Sequence, residues 1–498
     1  MSWDYDSAFL YSESKAASNL KSGYPRYSLF LPILDSGSVN PFGPTTDAAT
    51  LQAVQNAEFR GDIYTSKTSI MSIDGKGSRE MFAMKGGQAA VAVGGELREE
   101  KFIFSPSDAY QIGDIAGFGG NILGVDRKRH VGSVYTELDF PVYKQFEANV
   151  GVRYDNYQDI GSTTNPKLSL RFQPINELVL RGSAGTGFRA PSLTDLYTAQ
   201  ASSVTANGTR DPIRCPDRAT GAQSDCNNQF PTITGGNPNL KPEKSRNYTL
   251  GIVAQPAKSL SISVDAYWIQ LKDSIIIGGL NAAFILANAQ NATTYSSFIV
   301  RGAPDGNASG AGPITGIIQT TSNLFEVSTS GWDVGLAFVP MNDENGRVTM
   351  RLDGTYVERY NRQNADNTWT NQVDQALNAA GGVIPRWRHI ASIGYDKGPW
   401  NVTGFQNYQK SYHDQLSTFP EPGATSIQPR RVSDYVTYDI QGSYTGIKNL
   451  QLSVGVKNIL DTDPPYTNAG GQFAAGYDIT YADVRGRFVY GTVTLRFK

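Results

Sequence analysis

The sequence predicts an all-β fold, an antiparallel transmembrane β-barrel with about sixteen strands. Apolar and polar residues alternate with period two along many segments, including residues 134–140, 146–155, 260–268 and 450–457, as in a strand with one apolar and one polar face. Many such segments run past about ten residues, the length of a tilted membrane-crossing strand rather than of a globular one. Very short and long polar connections alternate between them, which is typical of outer-membrane barrels.

The strand count follows from these connections. Placing all short turns at one end and the long connections at the other gives an even number of strands. The first (3–11) then runs toward the long-loop end, and the last (486–497) ends on the short-turn side. This alternation requires residues 314–320 to be part of a hairpin inside the long loop after residue 277 instead of a spanning strand. The short turns are expected at 85–88, 142–144, 173–176, 255–258, 341–346, 396–399 and 445–448, and the long connections at 105–128, 190–243, 277–323, 361–385, 412–430 and 461–485. Within the loop after residue 277, the Ala-rich stretch 280–290 predicts a short surface helix.

Composition limits the classes of function. The 498 residues include 44 Lys+Arg and 46 Asp+Glu, a net charge of −2, which gives no electrostatic footprint for nucleic acid. An aromatic content of 11 % is too high for a disordered chain, and 39 % hydrophobic residues suffice when only every second residue faces lipid. The first residues lack the basic and apolar regions of a secretory signal, so we expect either a cytosolic protein or a missing N-terminal segment.

Cys215 and Cys226 lie together in a polar segment that reads as an exposed loop. They are either two free thiols or a local disulfide formed in an oxidising compartment, and we favour the disulfide. The three histidines have no Cys or His partner at metal-ligand spacing. No Ser/His/Asp set and no carboxylate pair stands out, so no metal, no cofactor and no catalytic residue is expected.

The stretch 182–187 has the glycine spacing of a nucleotide-binding loop, but no helical period follows it. We expect its glycines to allow close backbone approach on a strand that faces a crowded lumen.

Four motifs resemble those of TonB-dependent outer-membrane receptors, in the order expected for that family. Residues 456–461 (VKNILD) are similar to its penultimate strand and 493–497 (VTLRF) to its last one. The resemblance covers essentially the whole chain. The two most specific motifs are a mid-barrel signature, Gly187, Phe188, Arg189, Ala190 and Pro191 followed by SLTDLY, and a motif after the next long loop, Asn237, Pro238, Asn239, Leu240, Lys241, Pro242 and Glu243.

The resemblance implies a barrel of about 22 strands, plugged by an N-terminal globular domain. It places the protein in the outer membrane of a Gram-negative bacterium, with the long loops extracellular and the short turns periplasmic. Such receptors import a scarce ligand, such as a siderophore, cobalamin or a carbohydrate. The energy comes from the inner-membrane TonB-ExbB-ExbD system, which acts through a short N-terminal segment of the plug.

The sequence departs from this pattern because it shows no plug, no energy-coupling box and about six strands fewer. We therefore expect residues 1–498 to be a partial receptor barrel domain that is not transport-competent alone. The chain ends one residue beyond Phe497, the aromatic residue that resembles the family's C-terminal signal for the barrel-assembly machinery.

The resemblance also assigns roles to individual residues. Three charged residues on the polar strand face are expected to face the lumen and hold the plug: Glu137, Arg153 and Asp155. Loop aromatics and cations are candidates for ligand contact, and for each one taken singly an ordinary solvated loop residue is the favoured interpretation: Arg210, Arg214, Trp369, Tyr412 and His413.

Two other functions fit the strand pattern. A passive sixteen-stranded porin would have a closed ring, with the first strand paired to the last. An outer-membrane barrel enzyme would need a catalytic set at the loop rim, and none is visible. Porins do not carry the two specific motifs.

Overall fold

The computed structural model describes residues 2–45, 47–120, 122–216, 223–290, 293–364, 367–376, 382–414, 430–467, 476–480 and 482–497. These residues form one dominant antiparallel sheet of seventeen strands, one of which has only three residues. The other sixteen agree with the predicted number. In chain order they are β1 (Asp4–Leu20), β2 (Gly61–Ala83), β3 (Gln88–Pro106), β4 (Val125–Tyr143), β5 (Phe146–Tyr157), β6 (Gly161–Ile175), β7 (Leu178–Arg189), β10 (Glu243–Ala257), β11 (Leu260–Lys272), β16 (Val327–Asp343), β17 (Gly346–Gln363), β19 (Trp387–Lys397), β20 (Trp400–Gln409), β23 (Tyr435–Ile447), β24 (Leu450–Lys457) and β25 (Phe488–Leu495).

These strands form a meander, because each one pairs antiparallel with the next long strand along the chain. Short turns join them at one end, including the two-residue turns 144–145 and 258–259. Long connections join them at the other, as predicted. Within the described residues, the strand registers pair β1 with β2 and β25 with β24, and they include no pairing of β1 with β25, the first-to-last pairing expected of a porin.

Two connections at the long-loop end differ from the prediction. Residues 158–160 form a connection of only three residues, and residues 21–60 form a loop with two helices, α1 (Tyr27–Asp35) and α2 (Ala48–Asn56). Pro32 lies inside α1, and an internal proline normally argues against a helix. The start of α1 is held by Asp114, whose carboxylate accepts hydrogen bonds from the backbone N–H and the hydroxyl of Ser28, both at 2.7 Å.

The long loops fold into small units of their own. Residues 314–320 form one strand of a loop hairpin, pairing antiparallel with residues 299–301 as the parity of the strands requires, and the predicted helix within 280–290 is present. The loop elements are α3 (Asp108–Gln111), α4 (Leu193–Tyr197), β8 (Ala201–Val204), α5 (Gln223–Cys226), β9 (Pro231–Gly235), β12 (Ile275–Ile276), α6 (Ala282–Asn288), α7 (Thr293–Ser296), β13 (Ile299–Arg301), β14 (Ile314–Thr320), β15 (Ser322–Asn323), β18 (Trp369–Asn371), β21 (Tyr412–His413) and β22 (Arg431–Val432).

A four-stranded loop sheet joins two of the long loops. Its order is β13-β14-β9-β8, and β14 pairs parallel with β9 from the other loop. An apolar core packs against it, centred on Ile285 and Ile317, which are both fully buried. The larger buried clusters therefore lie among the loops and not between two layers of sheet.

The main sheet has one apolar and one charged face. Large apolar side chains project into the surroundings on one face, for example Tyr5 at 79 %, Leu97 at 68 % and Val134 at 59 % exposure. A continuous apolar surface of this kind is the lipid-facing side of a barrel. Among the described residues, no helix is long and apolar enough to cross a membrane.

The glycines of 182–187 divide between the two faces, which corrects the expectation that they face the lumen. Gly187 is on the charged face, where an added Cβ would lie 2.9 Å from Ser245 Oγ. Gly182 is on the apolar face, where an added Cβ would lie 3.1 Å from Leu250 Cδ2. The faces differ because the spacing from 182 to 187 is odd and side chains alternate along a strand.

Candidate functional site

An ion pair joins the two specific motifs at the long-loop end of the sheet. Arg189, the last residue of β7, and Glu243, the first residue of β10, are direct register partners across 54 residues of sequence. The guanidinium donates from Nε to Oε2 at 2.7 Å and from Nη2 to Oε1 at 2.9 Å. This bidentate geometry is the strong form of an Arg–carboxylate interaction. We call this pair the motif clamp, since it closes the base of the loop 190–242.

Helix α4 begins directly after the first motif because Ser192 and Asp195 form a capping box. Ser192 Oγ accepts from the Asp195 backbone N–H at 3.1 Å, and Asp195 Oδ2 accepts from the Ser192 N–H at 2.9 Å. The Asp195 carbonyl oxygen then accepts a hydrogen bond from the Asn237 N–H at 3.0 Å. The SLTDLY stretch therefore positions the start of the second motif as well as its own helix.

A second long loop, 273–326, is attached to the motif clamp. The Ile275 N–H donates to Glu243 Oε1 at 2.6 Å, and Ile275 packs with Leu196 and Leu240 in a buried apolar cluster. Asn323 holds the second motif from the other side, because its side chain accepts from the Lys241 N–H at 2.7 Å and donates to the Lys241 carbonyl at 2.8 Å. Sequence reasoning did not identify Ile275 or Asn323, since neither lies in a motif.

The charged face beneath the motif clamp carries a network of arginines and carboxylates. Arg129, whose side chain is 5 % exposed, pairs with Glu100 at 2.6 Å and donates to the Pro191 carbonyl at 2.7 Å. The same face holds Arg98, which pairs with Glu96 at 3.0 Å and with Glu100 at 2.8 Å.

Two of the three residues predicted to face the lumen belong to this network. Arg153 pairs with Glu96 at 3.0 Å and with Asp155 at 2.8 Å, and Asp155 also accepts from Ser133 Oγ at 2.6 Å. Glu137 lies on the same face and is exposed, without an ion pair in the described part of the chain.

The outer part of the loop sheet is held by buried ion pairs. Arg301 donates to the fully buried Asp211 at 2.6 and 2.8 Å. Burial raises the pKa of Asp211, but the hydrogen bonds from Arg301 and from backbone N–H groups outweigh this effect, and the pKa lies below its usual value.

The structure joins Cys215 and Cys226 by a disulfide with a Cα–Cα distance of 5.3 Å.

Arg214 is the centre of a second buried cluster in the same region. It donates to Asp225 at 3.0 Å and bidentately to Asp305 at 2.8 and 3.0 Å. The hydrogen bonds from Arg214 lower the pKa of Asp305 to about 2. Arg214 was predicted as a ligand contact, but its side chain is only 7 % exposed and its donors point at loop carboxylates.

The other predicted ligand contacts are divided between surface and interior. Arg210 is exposed and donates to the Pro216 carbonyl at 3.1 Å, beside a cavity of about 550 Å³ that α6 also lines. Trp369 is 43 % exposed, and His413 is exposed with Nε2 2.8 Å from Arg431 Nη1. Tyr412 is 1 % exposed and packs with Val383 and Val432, so it lies inside a loop cluster. The described residues include no group of His, Cys, Asp or Glu able to hold a metal ion.

The fold and this site define a class: an outer-membrane β-barrel with a charge-lined inner face and long, mutually fastened loops. The family model described as "TonB dependent receptor-like, beta-barrel" matches residues 1–459. The chain therefore belongs to the TonB-dependent receptor family, whose members are receptors and transporters of the Gram-negative outer membrane that work with the TonB system.

Two curated proteins are similar in sequence. "Probable TonB-dependent siderophore receptor PirA" of Acinetobacter baumannii is 24 % identical over 325 residues, covering 61 % of this chain and 40 % of the relative. "Vitamin B12 transporter BtuB" of Photobacterium profundum is 26 % identical over 175 residues, covering 32 % of this chain and 23 % of the relative.

Solved structures show the same fold. The siderophore receptor PirA from Acinetobacter baumannii superposes with a TM-score of 0.60 at 16 % identity, over 99 % of this chain and 60 % of that one. A ferric enterobactin receptor (PfeA) mutant from Pseudomonas aeruginosa gives a TM-score of 0.64 at 18 % identity, over 99 % of this chain and 60 % of that one. The chain thus spans less than two thirds of the length of the relatives that it matches.

Proposed function

We propose that residues 1–498 form the ligand-capturing barrel portion of a receptor for a siderophore-type iron chelate. The observation that carries the proposal is the motif clamp, which fastens the bases of loops 190–242 and 273–326 to each other. Loops fastened in this way present a preformed binding rim, and preformed rims lose less conformational entropy when a ligand binds. The similarity to PirA, described as a probable TonB-dependent siderophore receptor and matched over 61 % of this chain, supports this ligand class over cobalamin or a carbohydrate.

The ligand contacts that we favour are the exposed loop residues Arg210, Trp369 and His413. Arg214 and Tyr412 are assigned a different role, because they are buried and hold the loops in shape. Cationic and aromatic side chains suit an anionic aromatic chelate, which they contact through charge and through ring stacking.

The charged inner face is assigned to the plug. Arg153 and Asp155 belong to an ion-pair network that ends below the motif clamp, and Glu137 is exposed on the same face. In the complete receptor these side chains would hydrogen-bond the plug, through which the TonB-ExbB-ExbD system delivers energy. The remaining proposed partners are outer-membrane lipid and the barrel-assembly machinery, which would read Phe497.

We propose further that these 498 residues do not import ligand by themselves. An energy-coupled receptor needs a plug to transmit the pull of TonB, and a partial sheet leaves edge N–H and C=O groups unpaired in lipid. The passive porin is not favoured, because the family match is to TonB-dependent receptors.

The test is uptake of a radiolabelled ferric siderophore by cells that lack their own receptors. Cells express either residues 1–498 behind a secretion signal, or the same residues joined to the plug-encoding segment read from the genomic DNA upstream of Met1. We expect uptake that depends on TonB only with the joined form. Uptake by the 498 residues alone, or an upstream region without a plug in frame, would contradict the proposal.

A further inference from the structure

A groove runs along the apolar face of the main sheet over β7. Its floor is formed by Gly182 and Ala184, and its walls include Leu170 of β6 and Leu250 of β10. The groove has a volume of about 480 Å³ and an almost wholly apolar lining. Because it opens on the lipid-facing side of the barrel, the molecule that covers it in the membrane is a lipid.

Three cations lie on the same face at the long-loop end of this groove. Lys244 of β10 and Lys272 of β11 are direct register partners, and Arg246 is two residues further along β10, opposite Gln270. Side chains alternate along a strand, so Lys244 and Arg246 share their face with Tyr248 and Leu250. Three cations at one position on the lipid-facing side are costly unless an anion accompanies them.

The acidic groups nearby neutralise only one of the three cations. Glu326 accepts from Lys272 Nζ at 2.8 Å and from Gln270 at 3.1 Å. Lys244 and Arg246 are exposed and have no acidic partner among the described residues. Glu243 lies next to Lys244 in sequence, but it points to the other face and is bound by Arg189.

The lysines of this face at the long-loop end of β3 and β4 are paired. On β3 and β4, Lys101 lies 3.6 Å from Asp126, and Lys128 lies 3.6 Å from Glu99. These lysines also occupy the long-loop half of their strands. Lys244 and Arg246, which have no acidic partner among the described residues, therefore differ from the paired lysines at the long-loop end of β3 and β4.

The chemistry changes in a fixed order along β10. Two cations come first, then the aromatic register pair Tyr248 and Trp268, and then the groove beside Leu250. Six residues separate Lys244 from Leu250, which is roughly 20 Å of strand. Anionic headgroup, interface and acyl chain follow one another in the same order across a membrane leaflet.

We propose that the groove and these cations form a binding site for a phosphorylated lipid of the outer leaflet. One acyl chain lies over Gly182 and Ala184, and a headgroup phosphate is bound by Arg246 and Lys244. A guanidinium and an ammonium both form charge-assisted hydrogen bonds with phosphate oxygens. The site lies on the membrane side of the barrel, so it is independent of the ligand proposed for the loops.

The test uses the 498-residue chain in detergent micelles, and native mass spectrometry counts the lipids that it retains. The probes are lipid A, lipid A without its phosphates, and inorganic phosphate. We expect K244Q/R246Q to reduce lipid A retention about fivefold or more, and A184W, which fills the groove without changing charge, to reduce it similarly. The matched control K101Q/K128Q, on the same face, should retain lipid A as the unchanged chain does.

Three results would overturn the proposal: full lipid A retention by K244Q/R246Q, equal retention of the dephosphorylated lipid, or displacement of lipid A by inorganic phosphate at equal concentration. Should the variants fail to fold, the unchanged chain still decides the question. Its lipid A retention should fall severalfold as salt rises from about 0.05 to about 0.5 M, because salt screens exposed charges. Retention that does not respond to salt or to removal of the phosphates excludes the site.

Discussion

Arg129 donates a hydrogen bond to the carbonyl oxygen of Pro191 at 2.7 Å, although 62 residues separate them in sequence. The same guanidinium pairs with Glu100 at 2.6 Å. One buried side chain thus links the charged inner face of the sheet to the backbone of the first motif. A substitution in the charged face should therefore affect the first motif, and a substitution in the motif should affect the charged face.

Replacing Arg129 with Met should therefore loosen the loop 190–242. The substitution leaves the Pro191 carbonyl unpaired and removes a partner of Glu100, which should lower the free energy of unfolding by about 2–4 kcal/mol. Denaturant titration gives this value, and hydrogen exchange shows whether the loss is in residues 190–197. R129K should restore part of it, because an ammonium supplies one of the two contacts. An unchanged loop in R129M would argue against the link.

The motif clamp can be tested with E243Q. The amide keeps an acceptor for the Ile275 N–H but removes the charge that holds Arg189. We expect a loss of about 1–2 kcal/mol in the free energy of unfolding, less than for a fully buried pair because Arg189 is half exposed. Hydrogen exchange should increase in both loops at once. E58Q, which alters the exposed Arg60–Glu58 pair at 2.8 Å, is the matched control and should have little effect.

The Asp305–Arg214 pair predicts a dependence of loop protection on pH. The pKa of Asp305, about 2, is below the value of an unfolded Asp. The pair therefore stabilises the loop fully at pH values above the unfolded pKa of about 3.9. This stabilisation is lost as pH falls from about 4 to about 2. Protease protection of loop 273–326, measured across this interval with an acid-stable protease, should decline in the unchanged chain. D305N should show weaker protection at neutral pH and a flatter profile, and identical profiles would contradict the assignment.

Reduction of the Cys215–Cys226 disulfide should destabilise the loop 190–242 locally. The bridge spans 11 residues, and in the chain-entropy model a loop of this size is stabilised by about 3 kcal/mol. C215S/C226S should make this loop more sensitive to protease and leave the strands unaffected. A matching decrease in the stability of β7 and β10 would show that the loop and the sheet unfold together.

The strands are well predicted from the sequence because the alternation of apolar and polar residues lies within each strand itself. Period two in residues 146–155 is enough to identify β5 and both of its faces. Contacts across long distances leave no such local pattern. Nothing near Arg214 reveals that Asp305 lies against it, 91 residues away, so a charged loop residue resembles a ligand contact. The helix α1 was not predicted, because Pro32 lies inside it and an internal proline normally argues against a helix.

The motifs behave differently from other loop residues. The pattern of Arg189 and Glu243 could be recognised in sequence, but their mutual contact depends on strand register, which is fixed only when β7 and β10 pair. Alternation placed Arg153 and Asp155 on the polar face of β5, and the family resemblance assigned that face to the lumen. The ion pair of Arg153 with Glu96 could not be predicted from the sequence, since Glu96 lies on β3, which does not pair with β5.

The parallel pairing of β9 with β14 has a practical consequence for loop exchange. Four residue pairs, from Ile317 with Thr232 to Thr320 with Gly235, join loop 190–242 to loop 273–326. A graft that replaces only one of the two loops would remove one strand of this pairing. The strand that stays would then lack its backbone hydrogen-bond partners. Ligand specificity should therefore transfer between receptors only when both loops are transplanted together as one structural unit.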